Sequence, residues 1–442
     1  MHVRVINLRF SLSLLVSFLL AVSTVQAQDA DQANAGDNWP QWRGPHRDAK
    51  AVSQDIQTDW ENHPPQHLWT NQGVGDGYGG LSIADGLIFS IGNRDGKQVV
   101  TASRLGDGET LWTTPVTQRL PEHDYAGSRS TPTYDAGRLF VVSSDGAISC
   151  LNAKDGQLIW QRPFSDWGGR MMSVWGFAES PFVDGDAVLC TPGGPDAAIV
   201  KLKKSNGEEI WRSSIPKGGD GKNIEDKELK QGAAYSSIVK QKVGRIEQYV
   251  QLVAEGVVGV RASDGKLMWG YEDVSNNVAA IPTPVIGDGF VFASSGYGTG
   301  ACRLDLKPKG REISAELKYF LPSRDFENHH GGMVLHQGYI YAGHGHNKGF
   351  PCCVRVSDGQ VMWTERGPGS GSAAVVFVDD HLIFRYQNGT IALVEASPKN
   401  YRLKGQFTPV VQERESWSHP VVVGGKLYLR EQNSIMCYDL AK

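Results

Sequence analysis

The residues of this chain that could do chemistry are few, and most stand in glycine-rich stretches. His330 lies in HHGG, and His344 and His346 lie two apart in GHGHNKG. Three neutral imidazoles could hold a divalent transition metal and leave a fourth position for water; the spacing matches no zinc signature, and polar loop histidines are the plainer reading. Glu179 together with His330 could supply an acid and a base for cleavage of a polysaccharide. Glu179 with Asn277 could instead begin an oxygen cage for calcium. Arg129, Tyr235 and Trp417 add groups that bind a polar or anionic small molecule by hydrogen bonding and stacking.

These residues matter together only if the fold gathers them. Residues 130–164 hold four short apolar runs separated by DAG, SDG and DG, which reads as a four-stranded antiparallel meander with a tight Asp-Gly hairpin between its last two strands. The last hairpin recurs along the chain and ends each time in tryptophan, at Trp112, Trp160, Trp211, Trp269 and Trp363, with degenerate copies near residues 310 and 400. Successive copies lie about 40 to 58 residues apart, the spacing of four-stranded propeller blades. The last copy supplies three strands and stops, while PPQHLWTNQ around Trp69 reads as a lone fourth strand. Pairing the two closes a ring with no open edge. The expectation is an all-β, eight-bladed propeller over residues 63–442, its repeated tryptophans packed between blades. Aligning first strands on Pro132, Pro181, Pro284 and Pro420 sets Arg129, Tyr235, His330 and Trp417 at one pore-mouth position, with Glu179 one residue further in. Loops on that face carry His123, Tyr125, Trp167, Arg170, Trp175, Arg324 and His329.

Residues 1–27 read as a secretory signal peptide: Arg4 and Arg9, an apolar run too short for a membrane span, and small residues Val25 and Ala27 before a polar stretch. A leader, residues 28–62, follows it. No cysteine follows the apolar run closely, so no lipid anchor is expected, and no later segment has transmembrane length. The mature chain is expected to be periplasmic or secreted. Loss of residues 1–27 takes the formal net charge from −4 to −6, a balance that argues against a nucleic-acid surface. The six cysteines are scattered and read mostly as small buried hydrophobes.

The segments SCLNAKDGQLIW (149–160) and CCVRVSDGQVMW (352–363) resemble the repeat of the pyrroloquinoline quinone (PQQ) propeller superfamily. WPQWRGPHRDA, Trp39 to Ala49, resembles the leader of exported PQQ-like propellers of planctomycete-type bacteria. The resemblance implies either a calcium- and PQQ-dependent dehydrogenase of alcohols or sugars, or a non-enzymatic scaffold of the BamB kind, and the fold does not decide between them. Cys352-Cys353 invites comparison with the adjacent-cysteine disulfide of the dehydrogenases, but alternating strand geometry points the two thiols to opposite faces. The chain has no CxxCH haem site and no matching aspartate base. The expectation is a binding or assembly scaffold for a protein or glycan partner, working through its loop face and funnel; the alternative is the quinoprotein dehydrogenase.

Overall fold

A strand sandwiched between two sheets must be apolar on both faces, whereas a strand at the rim need be so on only one. In the computed structural model, which describes residues 38–215 and 232–442, Arg138–Ser143 and Ala147–Asn152 are buried along nearly their whole length. Leu158–Pro163, the fourth strand of the same unit, is only half-buried at alternate residues. The same contrast organises eight antiparallel four-stranded sheets. Seven are contiguous in sequence, at 82–115, 133–163, 182–213, 239–271, 285–322, 328–364 and 373–407. The eighth pairs Val421–Val423, Lys426–Glu431 and Ser434–Asp439 with Gln66–Gln72, Trp69 lying opposite Cys437, so the ring closes as the repeat pattern predicts. No helix among the described residues is long and apolar enough to cross a membrane. The expected signal peptide and most of the charged loop at 216–234 lie outside the described residues.

The Asp-Gly pair does not form the expected two-residue hairpin. Strands end at Asn152 and resume at Leu158; Gly156 takes φ 73° and donates to the Asn152 carbonyl, while the Asp155 carboxylate accepts the Gln157 N–H. The wider turn has a packing consequence, because the glycine lies flat on the tryptophan of the preceding blade. A Cβ at Gly156 would meet the Trp112 ring at 2.5 Å, and Gly207 and Gly265 stand likewise on Trp160 and Trp211. Each indole N–H reaches a carbonyl of the same neighbouring turn, Trp112 to Ala153, Trp160 to Lys204 and Trp211 to Ala262. Trp363 does the same to Ser397. Trp269 departs from the pattern: the next blade has a long hairpin without that glycine turn, and the indole donates to Gln248 of its own blade at 2.8 Å.

Eight blades leave an axial channel, and residues 39–57 fill it. Trp39 bridges Ile83 of the first blade, and the Pro40 carbonyl accepts from Tyr134 of the second. Arg47 donates to the carbonyls of Ser180 and Pro181 at the third blade and Ile238 at the fourth. Trp42 donates to Thr283 at the fifth, and Arg43 to the Met333 carbonyl in the sixth. Lys50 bridges Phe377 in the seventh, and Gln54 accepts from Gly425 in the eighth. The leader is wound tightly to achieve this, with Arg43, Arg47 and Ala49 all at positive φ.

Two outcomes test this architecture. Arg47→Met, which leaves three buried carbonyls without their donor, should cost roughly 2–5 kcal/mol in denaturant unfolding; a loss near zero would mean the leader is dispensable to the ring. Gly156→Ala should cost about 1–3 kcal/mol by driving a methyl into the Trp112 ring, and Trp112→Phe should relieve part of that cost if the clash is its cause.

Candidate functional site

Connections from each fourth strand to the next first strand, and from second to third strands, emerge on one face and enclose a funnel of about 290 Å³. Four of the residues aligned from the sequence line it: Arg129, Tyr235, His330 and Trp417. The leader supplies Trp42, whose ring lies 4.5 Å from that of His419. Aromatic side chains make much of the wall. Trp417 contacts Tyr78 at 4.8 Å and Tyr125 at 5.0 Å between ring centroids, and Trp175 lies 5.7 Å from Tyr235. The indole N–H groups of Trp42 and Trp417 are committed to Thr283 and Gln387.

Arg129 brings a guanidinium to the wall but spends it locally. Its terminal nitrogens donate to the carbonyls of Gly127, Trp175, Asp124 and Tyr125, and the group lies over the Tyr78 ring. Among the described residues, no aspartate or glutamate lines the funnel.

Four histidines complete the lining. The ring of His329 lies 4.2 Å from that of His330 and 4.1 Å from that of His346, and its nitrogens meet Ser372 Oγ and Tyr297 Oη. His419 Nε2 faces the His330 carbonyl at 3.1 Å; a carbonyl only accepts, so Nε2 carries the proton and Nδ1 is a lone pair. That lone pair has no protein partner, nor do His330 Nε2 and His346 Nδ1. Burial holds His329 and His419 down to about 3 and His330 well below its ordinary value, with the neighbouring histidines and Arg129 adding to the effect on His330. His329, His330 and His419 are therefore uncharged at neutral pH.

The other sequence candidates lie elsewhere. Glu179 is buried between the third and fourth blades, where it accepts from Thr191 N–H, Thr191 Oγ1 at 2.8 Å and Gln251 Nε2 at 3.1 Å. Burial pushes its carboxyl up to about 8, against the two Thr191 donors, Arg47 and the Ile238 N–H. Neither Glu179 nor Asn277 lines the funnel, so the two do not begin a calcium cage there. His344 turns out of the funnel to accept from the Glu327 N–H and to stack on Phe326. His330 and His346 reach the funnel without it, and among the described residues no group of three or more His, Cys, Asp or Glu is placed to hold a metal ion. The HHGG segment lies within the strand Asn328–His336 at a register shift, not ahead of it. Cys352 and Cys353 are free thiols packed into different interblade clusters, as opposite strand faces require.

Of the loop residues, Tyr125, Trp175 and His329 reach the funnel. Trp167 is tied to Glu209, and Arg324 is exposed beside Asp325. His123 lies in a neighbouring groove, 3.0 Å from Ser144 Oγ. Sequence reading missed Trp42, Tyr78, Tyr297 and His419. His419 stands immediately before the alignment proline Pro420, a signal that could have found it.

Residues 96–365 match the family model described as outer membrane protein assembly factor BamB. The chain belongs to that family. A BamB from Alteromonas naphthalenivorans is 25% identical over 101 residues, which is 21% of this chain and 24% of that protein; the match thus spans about a quarter of the relative's length. The solved BamB of Moraxella catarrhalis superposes with a TM-score of 0.59 over 85% of this chain and 99% of its own, at 11% identity. A quinohemoprotein alcohol dehydrogenase from Comamonas testosteroni superposes with a TM-score of 0.65 over 94% and 82%, at 12% identity. At such identities these likenesses show the shared BamB-like propeller fold and leave the chemistry to the site.

The histidines make stability depend on pH in a defined direction. Because the folded protein binds protons at His329, His330 and His419 more weakly than the unfolded chain, stability present above about pH 6.5 is lost as pH falls toward about 3. The expected slope below pH 6.5 is up to about 1.4 kcal/mol per pH unit for each histidine. Denaturant unfolding between about pH 7 and about pH 5 measures it, and His419→Gln should flatten the slope; an unchanged slope would mean His419 titrates freely in the folded state.

Proposed function

We propose that this chain is an exported, non-enzymatic binding or assembly scaffold that engages its partner through the loop face and the funnel. The observation that carries the reading is the funnel's lining among the described residues: aromatic rings, imidazoles of which burial keeps three uncharged, one guanidinium spent on carbonyls, and no carboxylate. Such a surface suits binding: among the described residues that line it there is no carboxylate, and burial holds His329, His330 and His419 far below the value of a general base matched to neutral pH. The family description speaks for assembly work on an envelope protein, and the leading signal-like segment agrees with an exported place of action.

The quinoprotein alternative asks for calcium held by oxygen ligands beside the quinone, and for a carboxylate base. The residues lining the funnel do not fit that group. They offer imidazoles where carboxylates are needed, and the oxygens of Glu179 are engaged by Thr191 and Gln251.

A photo-crosslinking residue at position 125, on the half-exposed rim, tests the scaffold reading in envelope preparations of the source cell, with position 154 on the opposite face as control. A discrete protein adduct from position 125 and none from 154 is expected. Equal labelling from both would count against a working loop face. A thermal shift produced only by PQQ and calcium together, with dye-linked alcohol oxidation, would overturn the reading in favour of the dehydrogenase.

A further inference from the structure

Two adjacent residues that do not line the funnel hold a pair of rings that does, and this inference rests on the funnel being a binding site as proposed above. Arg430 and Glu431 end the strand Lys426–Glu431. Successive side chains of a strand point to opposite faces, so one of the two meets the blade before and the other the blade after. Both are buried to 1% exposure, and neither is among the residues lining the funnel.

Glu431 faces the seventh blade. Its Oε2 takes the Arg385 guanidinium at 2.8 Å and the Ser416 hydroxyl at 2.6 Å, while its Oε1 accepts the N–H groups of Glu413 and Arg414 at 3.3 and 3.1 Å. Arg385 in turn donates to the Ser418 carbonyl at 3.0 Å. Trp417 stands between those two serines, and its indole N–H reaches the side chain of Gln387, whose backbone carbonyl accepts the Ser416 N–H. Arg430 faces the first blade and does the same for Tyr78. Its guanidinium donates to the carbonyls of Gly75 at 2.8 Å and Gly79 at 3.4 Å, on either side of Tyr78, and to that of Ile91 at 2.8 Å. The Ser128 carbonyl accepts the Tyr78 N–H from the other side. A Cβ at Gly77 would meet Arg430 Nη2 and the Ser128 carbonyl oxygen, each at 2.9 Å, so this segment is closed down on the guanidinium. The two rings then meet in the funnel wall, 4.8 Å apart.

A ring carried on a connecting loop loses entropy when a partner orders it, and a loop already fixed spares that cost. Stability alone does not call for the ions, because an apolar pair of similar volume packs a blade interface at least as well as a buried Arg–Glu pair. What an apolar pair cannot do is gather the donors of Glu413, Arg414 and Ser416 and the carbonyl of Ser418 at one point. We propose that Arg430 and Glu431 are positioning residues of the funnel: they fix Tyr78 and Trp417 in its wall, and partner binding there depends on them although neither touches the funnel.

The test uses the full chain labelled with fluorotryptophan, the fluorine NMR resonance of Trp417 being assigned by its loss in Trp417→Phe. Glu431→Met alone strands the Arg385 charge and should lower the thermal midpoint; Arg385→Met combined with Glu431→Met removes both charges and should bring the midpoint back toward the parent's. In that double variant the Trp417 resonance should shift or broaden while those of Trp112, Trp160 and Trp211 stay in place, and Glu431→Gln, which keeps one acceptor oxygen, should give a smaller displacement. Arg430→Lys, which keeps the charge and loses the fork, should also move the Trp417 resonance through its contact with Tyr78. The adduct formed by the photo-crosslinking residue at position 125 should fall about tenfold in the double variant. A parental Trp417 resonance in the double variant, an equal displacement of the blade tryptophans, or a parental adduct yield beside a displaced Trp417 would each overturn the inference, and a parental resonance in Arg430→Lys would strike Arg430 from it. A parent chain that forms no adduct removes the scaffold reading, and the Trp417 resonance then decides by itself whether these residues set the wall.

Discussion

The buried guanidinium of Arg47, bonded to the carbonyls of Ser180, Pro181 and Ile238 in the middle of the molecule, is the contact on which the rest depends. Eight blades arranged about an axis leave their innermost strands facing a channel, and backbone carbonyls there need donors. Arginine carries five donors on a long stem, so one side chain can serve two blades at once. The cost is visible in the pKa values: burial lowers Arg47 to about 9 and Arg43 to about 10. Only hydrogen bonds on several sides make such burial tolerable, which is why the chain around these residues is forced into positive φ to aim them.

The plug also gives the funnel its character. Without the leader the funnel would continue into the axial channel; with it, the space has Trp42 set against His419. Burial in turn keeps His329, His330 and His419 neutral, because a charged imidazole there would lose its hydration with no carboxylate among the described lining residues to replace it. One structural decision, filling the channel with arginines and tryptophans, thus determines both the integrity of the ring and the polarity of the site.

How much of this was legible follows from what repeats. The Trp and Gly of the last hairpin recur because one blade's tryptophan lies on the next blade's glycine, and that demand is the same around half of the ring. Blade count, closure through Trp69 and the shared position of Arg129, Tyr235, His330 and Trp417 could all be read from such periodicity. The leader is used once and has no period, so its path through the channel was invisible, and Trp42 with it. Glu179 was misjudged for a geometrical reason: adjacent residues of an extended chain point to opposite sides, and a position one residue further in turns toward Thr191 and Gln251. His344 and His346 show the same effect. The first closes a regular strand and turns to Glu327, while the second stands in the loop that reaches the funnel.

The division between repeating and unique residues says where activity can reside in this fold. Substituting a blade tryptophan or its glycine partner alters a contact that neighbouring blades share, so these positions are committed to stability. The residues that line the funnel come instead from the leader, from connections between blades, from turns joining second to third strands and from the start of the strand Asn328–His336. BamB and a quinohemoprotein alcohol dehydrogenase share this fold at 11–12% identity to the present chain. In this chain those positions hold aromatic rings and imidazoles, and burial in the funnel keeps His329, His330 and His419 uncharged, so the polarity of the site follows from residues that the repeating ring does not dictate.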